Sequence, residues 1–226
     1  MTAVKDTMRR IIVMNAKGGC GKTTVATNLA SFYAAQRFGT ALFDYDPQGA
    51  SMRWLHQRPD NQASIYGVAA YQTPGNNVTR SWQLRVPPAI QRVVIDSPAG
   101  LKRQDLAEQV KGLDIIIVPV LPSSIDIHAT ADFIHDLLLV GKVWAQKTRI
   151  AIVANRLKKN TRAFDALERF LQSLRIPVIA QLRDTQNYVR AVDQGIGVHE
   201  MQSRNCHQDR APWAEMHKWL EEDPKF

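Results

Sequence analysis

Arg10-Ile-Ile-Val-Met-Asn-Ala-Lys-Gly-Gly-Cys-Gly-Lys-Thr-Thr24 decides the reading of this 226-residue chain. Arg10 to Met14 is a β-branched, apolar run with the pattern of a buried strand, and Lys22 to Gln36 has helical spacing. Between them lies the glycine-rich segment Lys17 to Thr24. In a strand-to-helix context such a segment is a phosphate-binding loop. Its glycines let successive N–H groups point inward at phosphate oxygens, and the helix N-terminus adds its positive end. Gly18, Gly19, Cys20, Gly21, Lys22, Thr23 and Thr24 are therefore the nucleotide-contact candidates. Lys22 is placed to reach the β- and γ-phosphates, and the Thr23 hydroxyl to ligate Mg²⁺. The general pattern Gly-x4-Gly-Lys-Ser/Thr asks for glycine at position 16, where this chain has Ala16. Lys17, a second lysine at the start of the loop, is not part of that general pattern.

Further strands are expected at Thr40–Asp44, Arg92–Asp96, Asp114–Val120, Arg149–Ala154 and Pro177–Leu182, with Pro119 limiting where the fourth can pair. Helical spacing recurs from Ala129 to Trp144 and from Arg162 to Leu174. Strands this apolar are buried on both faces, which predicts an α/β fold: a doubly wound, mostly parallel sheet with helices on both faces. Gln57 to Pro88, with Pro74-Gly75, Asn76-Asn77 and Pro87-Pro88, reads as surface connections plus one short strand near Ser64 to Tyr71. One domain over residues 1–226 is expected. The first strand starts near residue 10, which leaves no room for a separate N-terminal DNA-binding domain.

Lys plus Arg is 29 against 21 Asp plus Glu, a formal charge of +8. Such an excess points to a polyanionic partner, although scattered surface cations would give the same sum. No run of 18 apolar residues predicts a membrane span, and the N-terminus lacks the apolar stretch of a secretory signal. Two cysteines, Cys20 and Cys206, make no disulfide framework and suit a reducing cytoplasm.

Three more clusters end predicted strands. Asp44-Tyr-Asp-Pro-Gln-Gly49 places two carboxylates where an open α/β sheet forms its phosphate crevice, and also suits a turn ended by Pro47 and Gly49. Val93-Val-Ile-Asp-Ser-Pro-Ala-Gly100 ends a strand on Asp96, a Mg²⁺ candidate or a helix cap. Asn155, after the fifth strand, can read a base edge or simply make a turn. Asp126 in Pro122-Ser-Ser-Ile-Asp126 reads as a helix cap.

Together these boxes resemble the deviant Walker A, ParA/MinD family of P-loop ATPases, of the SIMIBI-like type, from Arg10 to about Met201. The resemblance implies ATP and Mg²⁺ as cofactors and a homodimer that sandwiches ATP, with Lys17 acting across it on the partner's phosphates. It implies that Asp46 positions or activates the attacking water, that Thr23 ligates Mg²⁺ while Asp44 and Asp96 support it through its water shell, and that Asn155 reads adenine. Catalysis would rest on Lys17, Lys22 and Asp46.

The subtype it resembles most is the short ParA-type positioning ATPase, whose cargo is a plasmid, a carboxysome (McdA-like) or another large assembly such as a microcompartment or chemoreceptor cluster. The cysteine pair of the nitrogenase iron protein is missing, and the end of the chain is acidic and broken by Pro224 rather than a basic lipid anchor. This subtype implies non-specific double-stranded DNA as a matrix, no membrane, a nucleoid-associated cytoplasmic location and a cargo-linked adaptor protein that stimulates slow hydrolysis. Lys158, Lys159, Arg162, Arg183 and Arg190 are the DNA-contact candidates, against the plain reading of a solvated helix start. A MinD-like membrane-surface ATPase, a metabolic ATP-dependent ligase relative and a non-catalytic module remain alternatives.

Overall fold

The computed structural model describes residues 8–73, 79, 84–143, 145–158, 161–202 and 206–223. Its strands are β1 Arg9–Val13, β2 Thr40–Asp44, β3 Tyr66–Ala69, β4 Arg92–Asp96, β5 Ile115–Val120, β6 Arg149–Leu157 and β7 Val178–Arg183. The helices are α1 Lys22–Ala35, α2 Ala50–His56, α3 Leu106–Gln109, α4 Ser124–Leu139, α5 Arg162–Ser173, α6 Gln186–Asp193 and α7 His207–Glu221. The strands form one sheet in the order β3-β2-β4-β1-β5-β6-β7, and every pairing is parallel.

Side chains alternate across this sheet and split the core in two. Ile11, Val13, Ile115 and Ile117 face α1, α2, α6 and α7, while Ile12, Met14, Ile116 and Val118 face α3, α4 and α5. Both faces are covered, as the unbroken apolar runs require. Helix α1 is buried nearly all round. Its polar members are satisfied internally: Thr27 donates to the Thr23 carbonyl, Asn28 to that of Thr24 and Ser31 to that of Asn28.

Pro119 sits inside the sheet, opposite Val153 of β6. The ladder between β1 and β5 ends at Val13 and Ile117. The Pro119 carbonyl accepts from Asn15 instead, on the side where β1 has already turned into the loop. The β1 side is still bonded at Met14 N to the Ile117 carbonyl, at 3.0 Å, and the next donor in that ladder is the N–H that Pro119 lacks, so the β1–β5 ladder stops there.

Several expected boundaries change, and β6 runs three residues past Ala154, so that Asn155 lies within the strand and not after it. The helix expected from Ala129 to Trp144 is α4, Ser124–Leu139. It starts earlier because Ser123 caps it, its hydroxyl accepting from Asp126 N at 3.2 Å. Asp126 is thus in the first turn and bonded to the capping hydroxyl, and is not itself the cap. The helix ends before Gly141 and Lys142, the latter at φ 49°. The strand expected within Gln57–Pro88 is β3, a parallel edge strand; Pro74-Gly75 and Asn76-Asn77 lie outside the described residues.

The opposite pole from the loop is closed by arginines at strand starts. Arg92 grips Glu221 through two bonds of 3.0 and 2.6 Å, Arg149 donates to the Trp219 and Glu222 carbonyls, and Arg9 bonds the Leu220 carbonyl and Asp223. These cations meet the carbonyl end of α7, where its dipole is negative. Trp213, Met216 and Leu220 of α7 are wholly buried.

Candidate nucleotide site

The loop between β1 and α1 is shaped from both sides. Gly19 and Gly21 take φ of 77° and 94°, open to glycine and strained for other residues. Below Gly21 lies the Asn155 amide: a Cβ there would sit 2.2 Å from Asn155 Nδ2. Asn155 donates from Nδ2 to the Cys20 carbonyl at 2.9 Å, and its Oδ1 accepts from Arg156 N. On the other side the buried Asn15 accepts from Lys17 N through Oδ1 and donates from Nδ2 to the Pro119 carbonyl and the Thr130 hydroxyl. Gly100 N donates to the Ala16 carbonyl and brings the loop after β4 against the phosphate loop.

Helix α1 begins at Gly21 with no side-chain cap and no acidic residue in its first turn. Its first N–H groups are left for an anion. Lys22 is buried and donates from Nζ to the Lys17 carbonyl at 3.0 Å, so its ammonium lies in the cradle of the loop. Lys17 is half-buried at the loop's entrance. Cys20 is buried and bonds the same Lys17 carbonyl; burial raises its thiol pKa, opposed by the Lys22 ammonium.

The carboxylates converge beside this loop. Asp44 and Asp96 end adjacent strands in register. Both are fully buried. Asp44 accepts from Asp46 N on Oδ1 and from Met52 N on Oδ2. Asp96 accepts from the Ser51 hydroxyl on Oδ2 at 2.6 Å, while its buried Oδ1 has no hydrogen-bond partner. Burial pushes the Asp96 pKa up to about 6, opposed by the Ser51 and Thr23 hydroxyls. A buried, unsatisfied carboxylate oxygen beside a threonine hydroxyl fits a hard divalent cation, so Thr23 and Asp96 suit Mg²⁺. Asp44, with both oxygens already bonded to backbone, suits an outer, supporting place. Asp46 is half-buried and makes the expected turn, its Oδ1 accepting from Gln48 N.

A cleft of about 410 Å³ opens next to Thr24 and Asn155, walled by Arg156, Arg183, Asp184 and Tyr188 among others. It adjoins the first turn of α1 through Thr24. Asn155 touches it, but both ends of its amide already hold the loop and Arg156.

The cations named from the sequence are dispersed in role. Lys158 is exposed and paired with Asp184 at 3.0 Å. Arg183 donates twice to the wholly buried Asp209, so it ties β7 to α7. Arg162 and Arg190 are exposed, and Lys159 lies outside the described residues.

Sequence reading missed Ser51 and Asn15. Neither lies in a glycine or carboxylate box; only a helix starting directly after Gly49, or a polar residue closing an apolar strand, could have pointed to them.

Fold and site define a P-loop nucleotide-binding protein of the open α/β type, with its ligand crevice outside the carboxyl ends of the strands. A family profile described as the CobQ/CobB/MinD/ParA nucleotide binding domain matches residues 11–198, and the chain belongs to that family. It is 29% identical over 198 residues to the maintenance of carboxysome distribution protein A of Halothiobacillus neapolitanus, covering 86% of this chain and 88% of that protein. The protein of the same name from Gloeobacter kilaueensis is 27% identical over 95% of each chain. A solved Cyanothece McdA–ATP complex superposes with a TM-score of 0.68 at 17% identity, covering 97% of this chain and 98% of that one.

Proposed function

We propose that this chain is a Mg²⁺-dependent ATPase that positions a large cellular cargo, a carboxysome or another assembly, by cycling on and off non-specific DNA. The observation that carries the reading is the junction of β1, β2 and β4: a phosphate cradle holding Lys22, with Asp44, Asp46 and Asp96 beside it. The likeness to two carboxysome distribution proteins along most of the chain supports the cargo.

The loop N–H groups and the open start of α1 bind the phosphates, and Lys22 exchanges its carbonyl partner for phosphate oxygen. Thr23 and Asp96 would hold Mg²⁺, with Asp44 in support, and the bound ion would supply neutralisation of charge on the phosphates. Asp46 orients the water that attacks the γ-phosphorus. Lys17, at the entrance, reaches the partner's phosphates in an ATP-bound homodimer, so binding and dimerisation are one switch. An adaptor on the cargo speeds hydrolysis and releases the dimer. DNA contact passes to the exposed Arg156, Arg162 and Arg190 with Lys158, since Arg183 is engaged within the fold.

A gel-shift assay on random-sequence duplex DNA, with ATP, ADP or no nucleotide at two salt concentrations, tests this. Binding only with ATP, weakened by salt and lost in Lys22→Ala, is expected. Absence of binding in every condition overturns the DNA matrix, and ATP-dependent sedimentation with anionic liposomes would put a membrane surface in its place.

A further inference from the structure

The first turn of α2 holds both strand-end carboxylates. Met52 N donates to Asp44 Oδ2, and one residue earlier the Ser51 hydroxyl donates to Asp96 Oδ2 at 2.6 Å. Ser51 and Asp96 are both at zero exposure, so no water competes for this bond. The turn is fixed from outside as well. Gly49, at φ 63°, starts the helix, and the Tyr71 hydroxyl packs where a Cβ of Gly49 would stand, 2.9 Å away.

The carboxylate of an aspartate rotates over a broad range about its last torsion. A donor on one oxygen fixes the plane and thereby aims the other. In Asp96 the aimed oxygen is Oδ1, buried and without a partner beside Thr23.

We infer that Ser51 is a positioning residue for Mg²⁺: its hydroxyl, donated to Asp96 Oδ2, aims Asp96 Oδ1 at the cation associated with bound nucleotide. The inference rests on the reading of this crevice as a Mg²⁺-nucleotide site and assigns a duty to a residue outside the loop and carboxylate boxes. Outer partners of this kind typically govern metal affinity by 10- to 100-fold.

The test is a Mg²⁺ titration of fluorescent ADP binding to the full chain, for the parent, Ser51→Ala and Ser51→Thr, with each affinity also measured in EDTA. Ser51→Ala should need about tenfold more Mg²⁺ for half-maximal tightening of ADP binding, by the lower end of that range. Its affinity in EDTA should stay within about twofold of the parent, the spread expected if only the metal step is touched. Ser51→Thr, which keeps a hydroxyl, should restore the midpoint. An unmoved midpoint in Ser51→Ala overturns the proposal. So does an equal fall of affinity in EDTA, or loss of folding, since Ser51 would then serve the fold alone. A threonine variant that folds and binds in EDTA like the parent but shifts as alanine does also overturns it. A parent whose ADP affinity ignores Mg²⁺ overturns the reading of the site itself, which is a different result from any of these.

Discussion

Gly21 carries two constraints at once. Its φ of 94° suits glycine, and its missing Cβ is the space filled by Asn155 Nδ2 at 2.2 Å. Any side chain there must strain the backbone and also push away the amide that holds the Cys20 carbonyl. Gly21→Ala should therefore lower nucleotide affinity by at least tenfold, because of order 1–3 kcal/mol of backbone strain adds to the loss of the Asn155 bond. Isothermal titration with ADP and Mg²⁺ measures this; an affinity within twofold of the parent would show that the loop is not shaped this way. Gly19, with a similar φ of 77° but nothing within 4 Å, should tolerate alanine better.

At the scale of elements, α2 is tied to a distant part of the chain. Arg58, just past its end, makes a two-pronged ion pair with Glu200, at 3.0 and 2.6 Å, and both side chains are 5% exposed. The guanidinium also stacks over Trp54 at 5.5 Å and bonds the Gly195 carbonyl. Removing one partner of a buried pair leaves the other charge uncompensated, so Arg58→Ala should cost about 3–5 kcal/mol. Urea unfolding checks this, and a loss under about 1 kcal/mol would place the pair with ordinary surface bridges.

The core strands and α1 were legible in the sequence, because buried parallel strands are unbroken apolar runs and the glycine loop marks the junction between them. Helices α2 and α6 were not. They span 7 and 8 residues, and their starts depend on Gly49 and on the Thr185 hydroxyl, local chemistry that periodicity does not register. Asp44 and Asp96 end neighbouring strands in register, and Asp96 lies against Lys22 and Thr23 of the phosphate loop. The engagement of Arg183 by Asp209 was invisible, since a cation near a strand end looks the same whether it faces DNA or a buried carboxylate 26 residues on.

For the whole molecule, acid is the revealing stress. Burial depresses the His199 pKa from 6.5 to about 4, in a setting of Glu200, Arg58, Arg210 and the Phe32 ring 5.0 Å away. The unfolded chain takes up this proton near pH 6.5 and the folded chain only near 4, so stability is full above pH 6.5 and falls as pH drops toward 4. The loss is on the order of 2–3 kcal/mol. Denaturation midpoints between pH 7.5 and 4.5 should show this slope in the parent and a shallower one in His199→Phe; equal slopes would remove His199 as the cause.

The strand order has a consequence for how the chain is made. The strand that leads into the nucleotide loop, Arg9–Val13, is synthesised first, yet its sheet neighbours are Arg92–Asp96 and Ile115–Val120. Until they leave the ribosome, the most central strand of the molecule has nothing to pair with, while Thr40–Asp44 can already meet Tyr66–Ala69. At about 5–20 residues per second, that interval is several seconds of exposed apolar backbone. A nascent chain halted before residue 92 should therefore engage holding chaperones through its own N-terminal segment, and release them as the fourth strand slots in beside it.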